Sequence, residues 1–109
     1  MTNFEKRAKE RIIYKQTIVF RTEETIMESA LDPRNISMSG VYIVTNHPST
    51  PGTKCSIEIK QYDKNNTLFV LLIEGVVTRI DDKGQGILFK NLDEENTAQL
   101  HRLLYPTEN

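Results

Sequence analysis

Arg7 and Arg11 stand four residues apart in a basic stretch near the start of the chain. Asn35, Ser37 and Gly40 follow in Asn35-Ile36-Ser37-Met38-Ser39-Gly40. A spacing of four turns both arginines to one side in either regular conformation, about 6 Å apart in a helix and about 13 Å apart in an extended segment. A guanidinium is planar and always charged. It can fork onto guanine O6 and N7, pair with phosphate, or stack on a purine face. Asn35 and Ser37, two apart, face the same way in an extended strand start and offer donors and acceptors to a base edge or a phosphate oxygen. Gly40 removes a side chain where a backbone bends or something approaches closely. The chemistry available is recognition of a compact anion, not bond breaking.

The same residues have plainer uses. Glu5-Lys6-Arg7-Ala8-Lys9-Glu10-Arg11 has the composition of a solvated terminus or helix face, and arginines also stand at 21, 34, 79 and 102. Asp32-Pro33-Arg34-Asn35 is rich in turn formers, and Asn and Ser readily bond nearby backbone.

Charge narrows the ligand. The 109 residues carry a formal net charge of −1, so no global basic field exists to hold a nucleic-acid polymer. Positive charge gathers instead at Lys6, Arg7, Lys9 and Arg11, which suits a small anion. A binder of single strands would need a basic groove with stacking aromatics, and here tryptophan is absent and aromatics make up 7%. Enzyme chemistry finds no better support. Asp81-Asp82 falls in a turn and Glu94-Glu95 at a helix start, so neither pair has the two contrasting environments that split carboxyl pKa values. No phosphate loop, nucleophile elbow or histidine dyad is present, and His47 and His101 lack metal-ligand spacing. The lone cysteine, Cys55, excludes an intrachain disulfide and reads as a small buried hydrophobe. No apolar run approaches the ~20 residues of a membrane span, and no signal-peptide pattern opens the chain, so a cytoplasmic protein is expected.

The elements that must carry these residues are mostly strands. From Ile13 to about Met27 the sequence is β-branched and aromatic, with Ile18 and Phe20 on one core face. Ser39 to Thr45 reads as the next strand, followed by the loop Asn46 to Gly52. Thr53 to Tyr62 alternates, with Cys55, Ile57 and Ile59 inward. Leu68 to Ile80 is a long strand whose start is apolar on both faces, and Asp81-Asp82-Lys83-Gly84 turns it into Gly86 to Lys90. Short strands at this spacing, without intervening helices, indicate a closed or nearly closed antiparallel barrel. The tail is helical: Asp93 caps it, Leu100, Leu103 and Leu104 form its apolar stripe, and Pro106 ends it.

In this order the segments resemble the PilZ domain family over nearly the whole chain, from Arg7 to about Leu104. Arg7 and Arg11 match its R-x-x-x-R motif, and Asn35, Ser37 and Gly40 match [D/N]-x-S-x-x-G, with Asn in place of the commoner Asp. Val41-Tyr42-Ile43, Pro51-Gly52-Thr53, Glu74-Gly75-Val76-Val77 and Gly84-Gln85-Gly86-Ile87-Leu88-Phe89 resemble its later strands and turns. The resemblance implies an all-β fold: a six-stranded antiparallel barrel over residues 13–109 with a C-terminal α-helix, preceded by a mobile segment over 1–12. It implies a bacterial, non-catalytic receptor for cyclic di-GMP, needing no cofactor or metal, with Arg7, Arg11, Asn35, Ser37 and Gly40 as ligand residues. In relatives the arginine segment closes on the ligand and a protein partner (a motor, pilus machinery or a polysaccharide synthase) reads the change. The alternative within the family is an adaptor that binds proteins without the nucleotide.

Overall fold

The computed structural model describes residues 16–62 and 65–105. In chain order these form β1 (Gln16–Arg21), β2 (Ile26–Ala30), a 3-10 turn (Pro33–Asn35), β3 (Gly40–Val44), β4 (Lys54–Tyr62), β5 (Leu68–Ile80), β6 (Gly84–Lys90) and a helix, α1 (Glu94–Leu104). All six strands join one sheet in the order β2-β1-β4-β5-β6-β3, and every neighbouring pair is antiparallel.

Alternation decides which side chains meet. Ile18 and Phe20 of β1 lie opposite Ile59 and Ile57 of β4, which lie opposite Leu71 and Ile73 of β5. Cross-strand partners share a face, so these residues, with Val41, Ile87 and Leu100, fuse into one buried cluster inside the curl of the sheet. Cys55 belongs to that cluster, and burial pushes its thiol up to about 11, which leaves it protonated and unreactive. The expected two-faced apolar start of β5 is present: Leu71 is buried while Phe69, Val70 and Leu72 remain exposed.

One feature departs from the sequence reading. The β-rich stretch expected as one segment to Met27 divides into β1 and β2 at Thr22-Glu23-Glu24-Thr25. There the Thr22 hydroxyl accepts from the backbone N–H groups of Glu24 and Thr25, each at 3.1 Å. The turn uses neither glycine nor proline, so the usual punctuation was missing. The barrel is not fully closed, which the expectation of a closed or nearly closed barrel includes. Among the described residues no ladder joins the edge strands β2 and β3; the Thr45 hydroxyl reaches across to the Met27 sulfur at 3.4 Å.

α1 forms where its capping residues require it. The Asp93 carboxylate accepts from Asn96 N–H at 2.7 Å, Glu94 and Glu95 sit in the positive first turn, and His101 and Arg102 in the negative last turn. Asn91, in the left-handed region at φ 57°, turns the chain out of β6 so that Leu100 is carried into the core with no exposed surface. Asn96 then donates to the Leu72 carbonyl at 3.1 Å, tying the helix to β5.

Candidate functional site

The second motif begins in the 3-10 turn after β2. Asp32 caps it, accepting from Arg34 N–H at 2.9 Å, and Pro33 occupies the first position, where its missing N–H costs nothing. The same carboxylate grips the Arg34 guanidinium through Nε at 3.2 Å and Nη2 at 3.0 Å. That side-chain bond holds the Asp32 carboxyl below its usual range and raises Arg34. Arg34 adjoins Asn35 in sequence, yet its guanidinium is already occupied.

Past the turn, Ile36 is extended, only 8% exposed, and bridged to Val41. With Ile36 anchored inward, Asn35 and Ser37 on either side of it turn outward. They share a face as expected, although a capped turn and a tight loop, not a strand, deliver them. The loop is held by Ser37 N–H to Gly40 C=O at 2.9 Å and by the Ser37 hydroxyl accepting from Ser39 N–H at 3.2 Å. The Asn35 side-chain amide has no hydrogen-bond partner among the described residues. At Gly40 the close approach is to the fold itself: a Cβ there would collide with the Ile87 carbonyl of β6, so the glycine lets β3 pair with β6.

The facing wall comes from β5 and β6. Leu71, Ile73, Gly75 and Val77 are buried at alternate positions, which would send residue 79 inward. The register slips between Val77 and Arg79, which pair with Ile87 and Gly86 respectively, leaving Thr78 as the extra residue of a β-bulge. Gly52 N–H donates to Val77 C=O at 2.7 Å on one side, and the Thr78 hydroxyl donates to Gly86 C=O at 3.2 Å on the other. Thr78 and Arg79 therefore both face outward.

Asn35, Ser37, Gly40, Tyr42, Arg79 and Gly86 line one shallow cleft of about 260 Å³. Arg79 is the one charged residue among the described residues that line it. Beside it the Tyr42 hydroxyl donates to Asp81 Oδ1 at 2.6 Å, and that bond raises the Tyr42 phenol to about 12 while lowering the Asp81 carboxyl. The cleft is smaller than the ~300–1,000 Å³ typical of pockets that enclose a whole small molecule. A second groove, between β4, β5 and α1, is lined by Ile59, Phe69, Val70, Leu71 and Leu103, with Gln61, Gln99 and Arg102 as its polar side chains. No cluster of His, Cys, Asp or Glu with the makings of a metal site occurs among the described residues, and no helix there is long and apolar enough to cross a membrane.

Of the five ligand residues expected from sequence, Asn35, Ser37 and Gly40 meet in this cleft; Arg7 and Arg11, with the whole 1–12 segment, lie outside the described residues. Arg79 was not among the five. Its signal is a charged residue at the next inward position of an alternating strand, which requires either a buried charge or a bulge.

Comparison with protein-family models matches residues 5–105 to the PilZ domain. Comparison with curated proteins finds no match. Among solved structures, the PilZ domain of CeSA from a cellulose-synthesizing bacterium superposes with a TM-score of 0.55 at 12% identity, over 84% of this chain and 90% of that one. At that identity the likeness speaks for the fold.

Proposed function

Because this chain belongs to the PilZ domain family, whose members bind a ligand or act as adaptors and do not catalyse, we propose that it is a cyclic di-GMP receptor. In this reading Arg7 and Arg11 grip the guanines and phosphates, while Asn35 and Ser37 supply polar contacts from the barrel surface. The protein works in the cytoplasm, residues 1–12 change conformation on binding, and a protein partner with a motility, pilus or exopolysaccharide type of output responds.

One observation carries the proposal: Leu31 N–H donates to Gln16 C=O at 3.0 Å. That bond holds the start of β1 beside the end of β2, where the Asn35–Gly40 loop departs. Arg11 is five residues before Gln16 and Asn35 four residues beyond Leu31. Extended chain covers at most ~3.6 Å per residue, so the two arms reach at most about 18 Å and 14 Å from a shared base. Two motifs separated in sequence thus start from neighbouring points, and both can close on one dinucleotide. The cleft's small volume and its polar lining of Asn35, Ser37 and Arg79 fit a site completed by that second arm. A segment ordered by an anionic ligand is a known route to a switch.

Calorimetric titration with cyclic di-GMP, against GTP and cyclic GMP, tests the assignment. Losing one charge-assisted arginine contact costs about 1.5–3 kcal/mol, or roughly ten- to a hundredfold in affinity. Arg7→Ala and Arg11→Ala should each weaken binding by that much and leave the thermal midpoint of the free protein nearly unchanged. Variants that bind as the wild type does would remove both arginines from the site. A folded wild-type protein that binds no nucleotide would favour the ligand-independent adaptor.

A further inference from the structure

Resting on the cyclic di-GMP reading, we propose that Arg79 is a third ligand arginine, whose guanidinium forks onto the O6 and N7 edge of a guanine held in the cleft. Three observations converge on it. The first is its aim. The bulge at Thr78 takes Arg79 off the inward face dictated by Leu71, Ile73, Gly75 and Val77, and both flanks of the bulge are hydrogen-bonded to neighbouring segments. A bulge that re-aims one side chain beside a cleft is a device of binding sites.

The second observation is support. The Arg79 stem lies across Gly86: Cγ and Nε are each 3.3 Å, and Cδ 3.8 Å, from where a Cβ of residue 86 would stand. The glycine gives the stem a flat bed, so the guanidinium is held along the sheet surface and loses less freedom on binding. The third is availability. Arg21 is paired with Glu58 and Arg34 with Asp32, whereas the exposed Arg79 has no ion-pair or hydrogen-bond partner among the described residues.

The surroundings favour a base edge over a phosphate. Asp81 follows Arg79 by two residues, the Arg79 charge helps to lower its carboxyl, and its carboxylate is fixed by the Tyr42 hydroxyl and by the N–H groups of Lys83 and Gly84. A standing negative charge beside the guanidinium repels a phosphate and tolerates the neutral O6 and N7 edge of guanine. Lysine cannot form that fork, and adenine carries an amino donor where guanine carries O6.

The test titrates the full-length wild type, Arg79→Ala and Arg79→Lys with cyclic di-GMP and with cyclic di-AMP, alongside thermal midpoints of the free proteins. Arg79→Ala is expected to weaken cyclic di-GMP binding roughly ten- to a hundredfold and to shrink the preference for cyclic di-GMP over cyclic di-AMP. Arg79→Lys should recover neither, and the midpoints should stay together. Wild-type binding that both variants reproduce overturns the role of Arg79 and leaves the receptor reading intact. Weakened binding with the guanine preference unchanged, or full recovery by lysine, overturns the base-edge contact. A wild type that binds neither nucleotide overturns the receptor reading itself, and the Arg79 role with it.

Discussion

Tyr42 and Asp81 show how far one hydrogen bond sets the character of the cleft's rim. The carboxylate accepts the Tyr42 hydroxyl at 2.6 Å and the N–H groups of Lys83 and Gly84 at 2.9 Å each. Bonds made to the charged form favour it, so the Asp81 carboxyl is held below its ordinary 3.8. A depressed carboxyl stabilises the fold above the ordinary carboxylate range and ceases to do so as pH falls through the depressed value. The phenol has the opposite sign. Raised to about 12 from 10.0, it contributes below pH ~10 and loses that contribution as pH climbs through its folded value. Tyr42→Phe should therefore move the Asp81 carboxyl up toward 3.8, read as its carbon shift in an NMR pH titration; an unmoved Asp81 would mean the turn amides alone hold it. Residue identity made part of this scale legible. Asn35, Ser37 and Gly40 could be named from type and spacing, but nothing in the residue order signals that Asp32 occupies Arg34 while Arg79 has no partner among the described residues, since both depend on side-chain geometry.

At the scale of elements, hydrophobic alternation carried most of the information. The bounds of β4, β5 and α1 were readable because Cys55-Ile57-Ile59, the long apolar run from Leu68, and the Asp93 cap with Leu100 each imprint a period or a stop signal. What escaped was backbone behaviour without a composition signal: the Thr22–Thr25 turn and the bulge at Thr78. α1 is the element whose contribution is easiest to measure. Leu100 is fully buried in the common core, and truncating such a leucine costs about 2–5 kcal/mol in lost burial and cavity. Leu100→Ala should lower the thermal midpoint by about 10 °C or more in a chain of this size. A shift of only a degree or two would mean that the helix packs more loosely than Leu100's burial requires. The cleft lies across the sheet on β3, β5 and β6, so the surviving folded fraction should still present Asn35, Ser37 and Arg79 together.

For the molecule as a whole, the sheet order brings distant sequence to one place. β1 begins beside the end of β2 through the Gln16–Leu31 bond, and β3 pairs with β6, which pairs with the bulged end of β5. The cleft therefore faces the loop leaving β2, while the apolar groove by α1 lies toward the other end of β5. With a net charge of −1, long-range attraction contributes little, and affinity for a dianion must come from arginines converging locally. The most direct measurement is an amide NMR titration of the full-length protein with cyclic di-GMP. Signals of Asn35 to Gly40, Arg79 and Gly86 should shift together with those of Arg7 to Arg11, while Phe69 to Leu71 and Gln99 to Leu103 stay in place. Shifts confined to that α1 groove, with Asn35 to Gly40 and the arginine segment unmoved, would contradict that expectation.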